Sequence, residues 1–318
     1  MNYKYILSFM ALSAMLIFNS CKKEEHALTP SDIVDGYVLP QGSNAFDNTI
    51  VDYYNKYNTY LLYKFDRKDI YWTPTAYTIP TASATGYWTS GHEVAMAEEA
   101  YIPKQLALIK SSLFDLYPEK FLKKFLPVKI LLCSKVDSIS AVFDFTTFKY
   151  AKGVKSIGAY SYYNTICINY GNIDITTMTD ADKTAFLKKV NTMFIENILA
   201  RGLTMPTNDF INSADYNTAM TTWSQALGKG IITYYSGVTA LADWGAYIRA
   251  MMTLSEKQLN MAVDIPSASV YATPPSLGIL NAKKDTNGQI KKRYAIVRNY
   301  FISEYGVDLQ TIGNKANP

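Results

Sequence analysis

The side chains able to do acid–base, nucleophilic or metal chemistry are few and scattered in this 318-residue chain. It holds two histidines, His26 and His92, and three cysteines, Cys21, Cys133 and Cys167. A histidine-rich metal site cannot be built from that stock, and a Ser-His-Asp triad has only those two imidazoles to draw on. No glycine-rich phosphate loop, G-x-S-x-G elbow, C-x-x-C or H-E-x-x-H pattern is present. His26 lies close to the N-terminus in a segment without periodicity, and His92 follows Gly91 at the expected start of a helix, where a lone imidazole is usually a surface or capping group. Aromatic side chains are the richer resource. The 26 tyrosines outnumber the 14 phenylalanines and 4 tryptophans together. Rings of this kind mostly fill and cover a core. The stretch from Tyr71 to Trp88 is the exception to follow: Trp72, Tyr87 and Trp88 fall in a Pro- and Gly-punctuated loop, where exposed rings serve as stacking platforms for sugars or as anchors at an interface.

Composition narrows the classes. Hydrophobic residues make up 48% and charged residues 18%, and 31 Lys+Arg against 27 Asp+Glu give a net charge of +4. Those values fit a globular chain and exclude disorder, collagen and coiled coil. The mild positive balance carries no basic stripe of the kind that nucleic-acid binding needs. No cofactor is expected.

The N-terminus reads as an address. Lys4 precedes an uncharged apolar run from Ile6 to Phe18, too short to span a bilayer but suited to a secretory signal. Phe18-Asn19-Ser20-Cys21 resembles a bacterial lipobox, in which Cys21 becomes the lipidated first residue of the mature chain. The charged Lys22-Lys23-Glu24-Glu25 that follows resembles the surface-export signal of Bacteroidetes lipoproteins. Residues 1–20 are thus expected to be removed, and 21–43 to form a flexible tether leading to an outer-membrane, outward-facing domain over 44–318. Cys133 and Cys167 lie in apolar strand-like runs and are expected as buried free thiols, although an exported location permits a disulfide.

The elements expected to position these residues divide into two halves. Spacing predicts a helix over Phe46–Tyr57, a strand near Thr59–Phe65, a loop over 72–91, and a long helical region from Glu93 to Tyr117. Strands follow at Val128–Ser134, Phe143–Phe148 and Ala159–Asn169. Beyond Gly171 the period becomes helical: Thr179 caps a helix running to Arg201 with a stripe of Leu187, Val190, Phe194 and Ile198, and Gly202 stops it. A second helix spans Thr239–Met252 with Leu241, Trp244, Ile248 and Met251 on one face. Ser255 caps a short third, residues 264–288 read as a surface loop, and Gln289–Tyr305 closes the chain before Gly306. A sheet-rich part over 44–178 ahead of a helical part over 179–318 indicates an α+β fold with an antiparallel or mixed sheet.

The order of segments resembles a family of zinc-binding metallopeptidase lipoproteins from Bacteroidetes, with a zincin-like fold. Phe46 to Asp66, FDNTIVDYYNKYNTYLLYKFD, carries the resemblance, as do FLPVKILLCSKVDS from Phe125 to Ser138 and KKRYAIVRNYFISEYGVDLQTI from Lys291 to Ile312. That family places H-E-x-x-H on a helix, followed by a Pro, an Asp-Phe, a Tyr and a Trp, matched here by Pro206, Asp209-Phe210, Tyr216 and Trp223. Its next helix has a pattern like E-D-F-A-E, which reads here Ala242-Asp243-Trp244-Gly245-Ala246.

The departures decide what the resemblance implies. Ile195 and Leu199 stand at the two histidine positions, Ala242 and Ala246 replace both glutamates of the later helix, and only Glu196 and Asp243 are kept. Neither Ile nor Leu donates an electron pair to a metal, so the chain resembles a degenerate member that has lost its metal. Glu196 is then expected to be paired with a Lys or Arg. Such members resemble accessory lipoproteins of SusC/SusD-type outer-membrane importers, which implies a part in the capture or delivery of oligosaccharides or peptides. An active peptidase with a displaced site, a carboxylate-pair glycosidase and a standalone carbohydrate-binding lipoprotein are the alternatives.

Overall fold

The computed structural model describes residues 36–73, 75–233, 237–265 and 276–318. The signal segment, Cys21, the charged cluster after it and His26 lie outside the described residues. Residues Leu39–Pro318 form one compact unit, which begins a little ahead of the expected Asn44. Gln41 is why: its Oε1 accepts from the backbone N–H groups of Tyr63 (2.9 Å) and Lys64 (3.2 Å), so the chain is already docked there.

The first half builds a mixed sheet. Helix α1 (Ala45–Tyr57) starts in a capping box between Asn44 and Asp47 and leads into β1 (Tyr60–Leu62). After α2 (Arg67–Tyr71), a small ribbon pairs β2 (Trp72–Thr73) with β3 (Ala76–Tyr77). Strand β4 (Gly91–Met96) comes next, then α3 (Ile102–Ser112) and α4 (Glu119–Phe125). The expected helix from Glu93 is therefore wrong over its first turns. His92 lies in a strand and not at a helix start, because Gly91-His-Glu-Val-Ala-Met96 pairs antiparallel with the middle of the next strand.

That strand, β5 (Lys129–Asp144), is the spine of the sheet. Its first residues lie between β1 and β8 (Thr165–Ile168), both parallel to it, and β7 (Ala159–Tyr162) adds antiparallel at the outer side of β8. Its remaining length carries β4 on one side and β6 (Lys149–Ser156) on the other. The expected strand over Phe143–Phe148 is instead the end of β5 and a tight turn into β6. Where β5 leaves the main sheet, buried Gln105 donates from Nε2 to the carbonyls of Cys133, Ile168 and Asn169 at 2.9–3.1 Å. Cys133 and Cys167 are buried free thiols on the adjacent strands β5 and β8.

The second half is helical. Helix α5 (Asp180–Ala200) follows a capping box of Thr179 and Asp182 and ends as Gly202 turns left-handed at φ +62°. Short helices α6 (Asn208–Asn212) and α7 (Trp223–Gly228) precede α8 (Ala240–Thr253) and α9 (Glu256–Leu259), capped by Thr239 and Ser255. Helix α10 (Gln289–Tyr305) runs as the spacing predicts, and an unforeseen α11 (Leu309–Ala316) follows it. The chain is thus α+β, with its mixed sheet in the N-terminal half and its helices in the C-terminal half. Two expectations fail locally. Leu241 on α8 is 45% exposed rather than part of its buried face. Of the surface loop expected over 264–288, residues 266–275 lie outside the described residues, and 276–288 are not surface throughout, since Ile279, Leu280, Lys284 and Asp285 are buried. One apolar core joins the sheet to α3, α4, α5, α8 and α10, and a smaller one gathers Met220, Trp223, Ala226, Ile231 and Val238.

Candidate functional site

Helix α5 carries the candidate positions. Phe186, Val190, Phe194, Ile195 and Ile198 are buried, with Phe186 taking the place expected of Leu187. Asn197 locks the helix to the β7–β8 hairpin, donating from Nδ2 to Ser161 Oγ (3.0 Å) and to the Tyr163 carbonyl (2.8 Å). Arg201 holds the helix end, donating to Asn197 Oδ1 and to the carbonyls of Phe125 and Leu126. With the helix fixed on both sides, the orientation of the residues between is set.

Ile195 points into the apolar core, and Leu199 packs at its margin. Leu199 also reaches α8: a Cβ added at Gly245 would meet its methyls at 3.5 Å and Arg249 Nη1 at 3.1 Å. Glu196, between Ile195 and Leu199 in sequence, is clamped by α8 through two parallel bonds, from Arg249 Nε to Oε1 (2.6 Å) and from Nη2 to Oε2 (2.9 Å). The basic partner expected for Glu196 is therefore Arg249. Both lone-pair edges of the carboxylate are engaged by a guanidinium fork, the geometry that satisfies a carboxylate most fully.

Asp243 is held apart from Glu196 by a different cation. Its Oδ1 accepts from the backbone N–H of Ile232 (2.9 Å), and its Oδ2 accepts from Arg293 Nη2 (2.7 Å) and Tyr216 Oη (3.2 Å). Both side chains of this ion pair are 0% exposed. Arg293 also donates from Nη1 to the Phe210 carbonyl (3.0 Å) and Ser213 Oγ (2.7 Å), donates from Nη2 to the Tyr216 hydroxyl, and lies 3.8 Å above the Phe210 ring. Burial holds the Asp243 carboxyl above its ordinary value, and Arg293 with the Ile232 N–H offsets only part of that rise. Phe210, Tyr216 and Asp243, separated along the chain, thus converge on one buried arginine from α10.

A zinc ion does not fit these residues. Ile195 and Leu199 have no donor atom, Ala242 and Ala246 have none, and the carboxylates of Glu196 and Asp243 are each engaged by an arginine, Asp243 by the Ile232 N–H and the Tyr216 hydroxyl as well.

Beside Glu196 there is a concavity of about 310 Å³, lined among others by Tyr160, Tyr163, Met193, Asn197 and Arg201. Tyr160 stacks on His92, with ring centroids 3.3 Å apart and planes 20° from parallel. Burial, aided by Lys189, pushes His92 down to about 4, and burial pushes Tyr160 up to about 12. At neutral pH the imidazole is therefore uncharged and the phenol protonated, and neither ring is poised to exchange a proton. This concavity can present a polar, aromatic surface to a ligand; it lacks a nucleophile–base pair.

The aromatic loop residues fall elsewhere. Trp72 is 51% exposed on β2, opposite Tyr77. Trp88 pairs with Ala82 across a short bridge, under the ammonium of Lys152, which is 4.7 Å from the ring centroid. Tyr87 meets Tyr150 edge-on at 5.1 Å. Trp72 therefore sits with the β2–β3 ribbon, whereas Tyr87 and Trp88 belong with β6; no ring contact joins the two groups among the described residues. Sequence reasoning did not single out Arg249, Arg293 or Arg201. Arg249 is the only basic residue of α8, a signal that was there to use.

Comparison with known proteins adds little weight. No family model matches the chain, and no curated protein does. Among solved structures, the crystal structure of a candidate zinc-binding metallo-peptidase from Bacteroides caccae is similar at 14% identity, covering 85% of this chain and 89% of its own, with a TM-score of 0.43. At that score the likeness carries no argument about this chain.

Proposed function

We propose that this chain is a non-catalytic, lipid-anchored protein of the outer cell surface, built on a zincin-like scaffold that has lost its metal, and an accessory subunit of a SusC/SusD-type importer of oligosaccharides or peptides. One observation carries the non-catalytic part. At the positions where the resembled family has its zinc ligands and general base, this chain has two apolar side chains and a glutamate clamped by Arg249. A scaffold retained without its chemistry is retained for a surface, since function resides in sites and not in folds. The lipid on Cys21 confines the protein to the membrane plane and raises its effective concentration toward other anchored proteins. Exposed rings such as Trp72 and Tyr87 supply the kind of anchor that dominates interface energetics.

The test is co-purification from detergent-solubilised membranes of the native cell. The chain should bring an importer with it, and Trp72→Ala should weaken that recovery without lowering the thermal midpoint. Failure to recover any transporter, where other importer complexes survive the same detergent, would remove the importer assignment.

A further inference from the structure

The tip of the β5–β6 hairpin has a use that neither the core nor the α5–α8 region explains. The pairing of β4 with β5 ends at Gly91 and Ile139, while β5 and β6 continue together through Ser140–Gly153 to Asp144–Lys149. The last rungs therefore project beyond the sheet as a two-stranded ribbon. Its end is aromatic. Phe143 and Tyr150 are cross-strand partners in edge contact at 5.0 Å, and Phe143 also meets Phe145 at 5.1 Å and Phe148 at 6.3 Å. Phe145 is 79% and Phe148 77% exposed, the two most exposed large hydrophobic side chains among the described residues.

Phe148 is also in the wrong conformation for its type. Its φ is +51°, a left-handed position that turns ordinarily give to Gly or Asn. Asp144 closes the turn by accepting from Thr146 N (2.8 Å) and Thr147 Oγ (2.7 Å), so the turn itself needs no ring at 148. Strain held at an exposed aromatic is a cost that folding alone does not explain.

Charge and shape select the occupant. Between Ser140 and Gly153 there are two lysines, Lys149 and Lys152, against one acid, Asp144. Lys152 pairs with Glu93, whereas Lys149, on the last rung, has no ion-pair partner among the described residues; Lys155 stands back in the sheet, opposite Ser138. A second copy adding to the β6 edge would set these lysines against their own kind. A folded partner needs roughly 800 Å² of matching surface, and two largely exposed rings on a convex tip offer roughly 300–400 Å². A bilayer sets no such requirement of shape, and exposed aromatic rings beside a lysine are suited to its headgroup region.

We propose that this tip is a membrane-contact element, in which Phe145 and Phe148 enter the boundary of headgroups and acyl chains while Lys149 meets the phosphates of an anionic surface. The inference is independent of the importer assignment. The probe is flotation of unlipidated Cys21→Ala protein with vesicles of phosphatidylcholine and phosphatidylglycerol. The protein should float with them, and less with phosphatidylcholine alone. Phe145→Ser with Phe148→Ser should weaken binding by about tenfold or more. Phe148→Asn separates contact from folding: it should raise the thermal midpoint by about 2 °C while weakening flotation. Absence of flotation, or flotation unchanged by both Phe variants, would overturn the proposal. So would vesicle-independent capture of a membrane protein that the same Phe variants abolish, since the occupant would then be a protein.

Discussion

Removing the carboxylate of Asp243 should cost far more stability than removing that of Glu196, although both are paired with arginines. Asp243→Ala leaves Arg293 charged, fully buried and short of its counter-ion, and it strips the Ile232 N–H and the Tyr216 hydroxyl of an acceptor. Breaking one side of a buried pair costs about 3–5 kcal/mol, most of it the uncompensated charge. At roughly 2 °C per kcal/mol for a chain of this length, the midpoint should fall by about 6–10 °C. Arg293→Met should cost a similar amount. The double variant should lose clearly less than the sum, because no lone charge then remains inside. Glu196 and Arg249 are 38% and 44% exposed, so water replaces much of what Glu196→Gln removes and the loss should stay within about 1 kcal/mol. The assay is reversible urea unfolding followed by far-ultraviolet circular dichroism, with slopes compared to verify that each variant unfolds in the same manner. An Asp243→Ala loss below about 1 kcal/mol, or singles that simply add, would refute the claim that this pair is a dry structural centre.

Other expectations follow from single contacts. His92 is pushed down to about 4, so the unfolded chain binds a proton there that the folded chain rejects; stability should rise with pH between about 4 and 6.5, and His92→Gln should flatten that limb of a pH–midpoint curve. Gly313→Ala should destabilise by about 3 kcal/mol in a denaturant titration, because the added Cβ would lie 1.9 Å from the Met251 carbonyl oxygen where α11 crosses α8. Cys21→Ala should move the protein out of the outer-membrane fraction; persistence there after a high-salt wash would contradict lipid anchoring.

What the sequence reveals depends on how much of each element faces one way. Helix α10 is legible because Ile290, Tyr294, Val297 and Phe301 repeat on a single buried face between two left-handed glycines, Gly288 and Gly306. Helix α5 is legible from its cap. Strand β4 is not, because nearly all of its residues are half-buried and no alternation survives; the helical period beyond it, at Leu106 and Ile109, spreads over it by mistake. Strand β6 is an edge strand with no buried residue, and its pairing is set by β5 rather than by its own pattern. The candidate site divides in the same way. That Ile195 and Leu199 cannot ligate a metal is plain from the residue types, and so is the need of Glu196 for a cation. That the cation is Arg249, and that Asp243 answers to Arg293 fifty positions away, are facts of tertiary packing that no local spacing encodes.

The claim on which the account turns is that the α5–α8 region has no metal site. Elemental analysis of the purified protein after incubation with zinc and removal of excess ion tests it directly. The account predicts zinc far below one per chain and a thermal midpoint unchanged by a chelator; about one zinc per chain, with a midpoint that falls when it is removed, would contradict it.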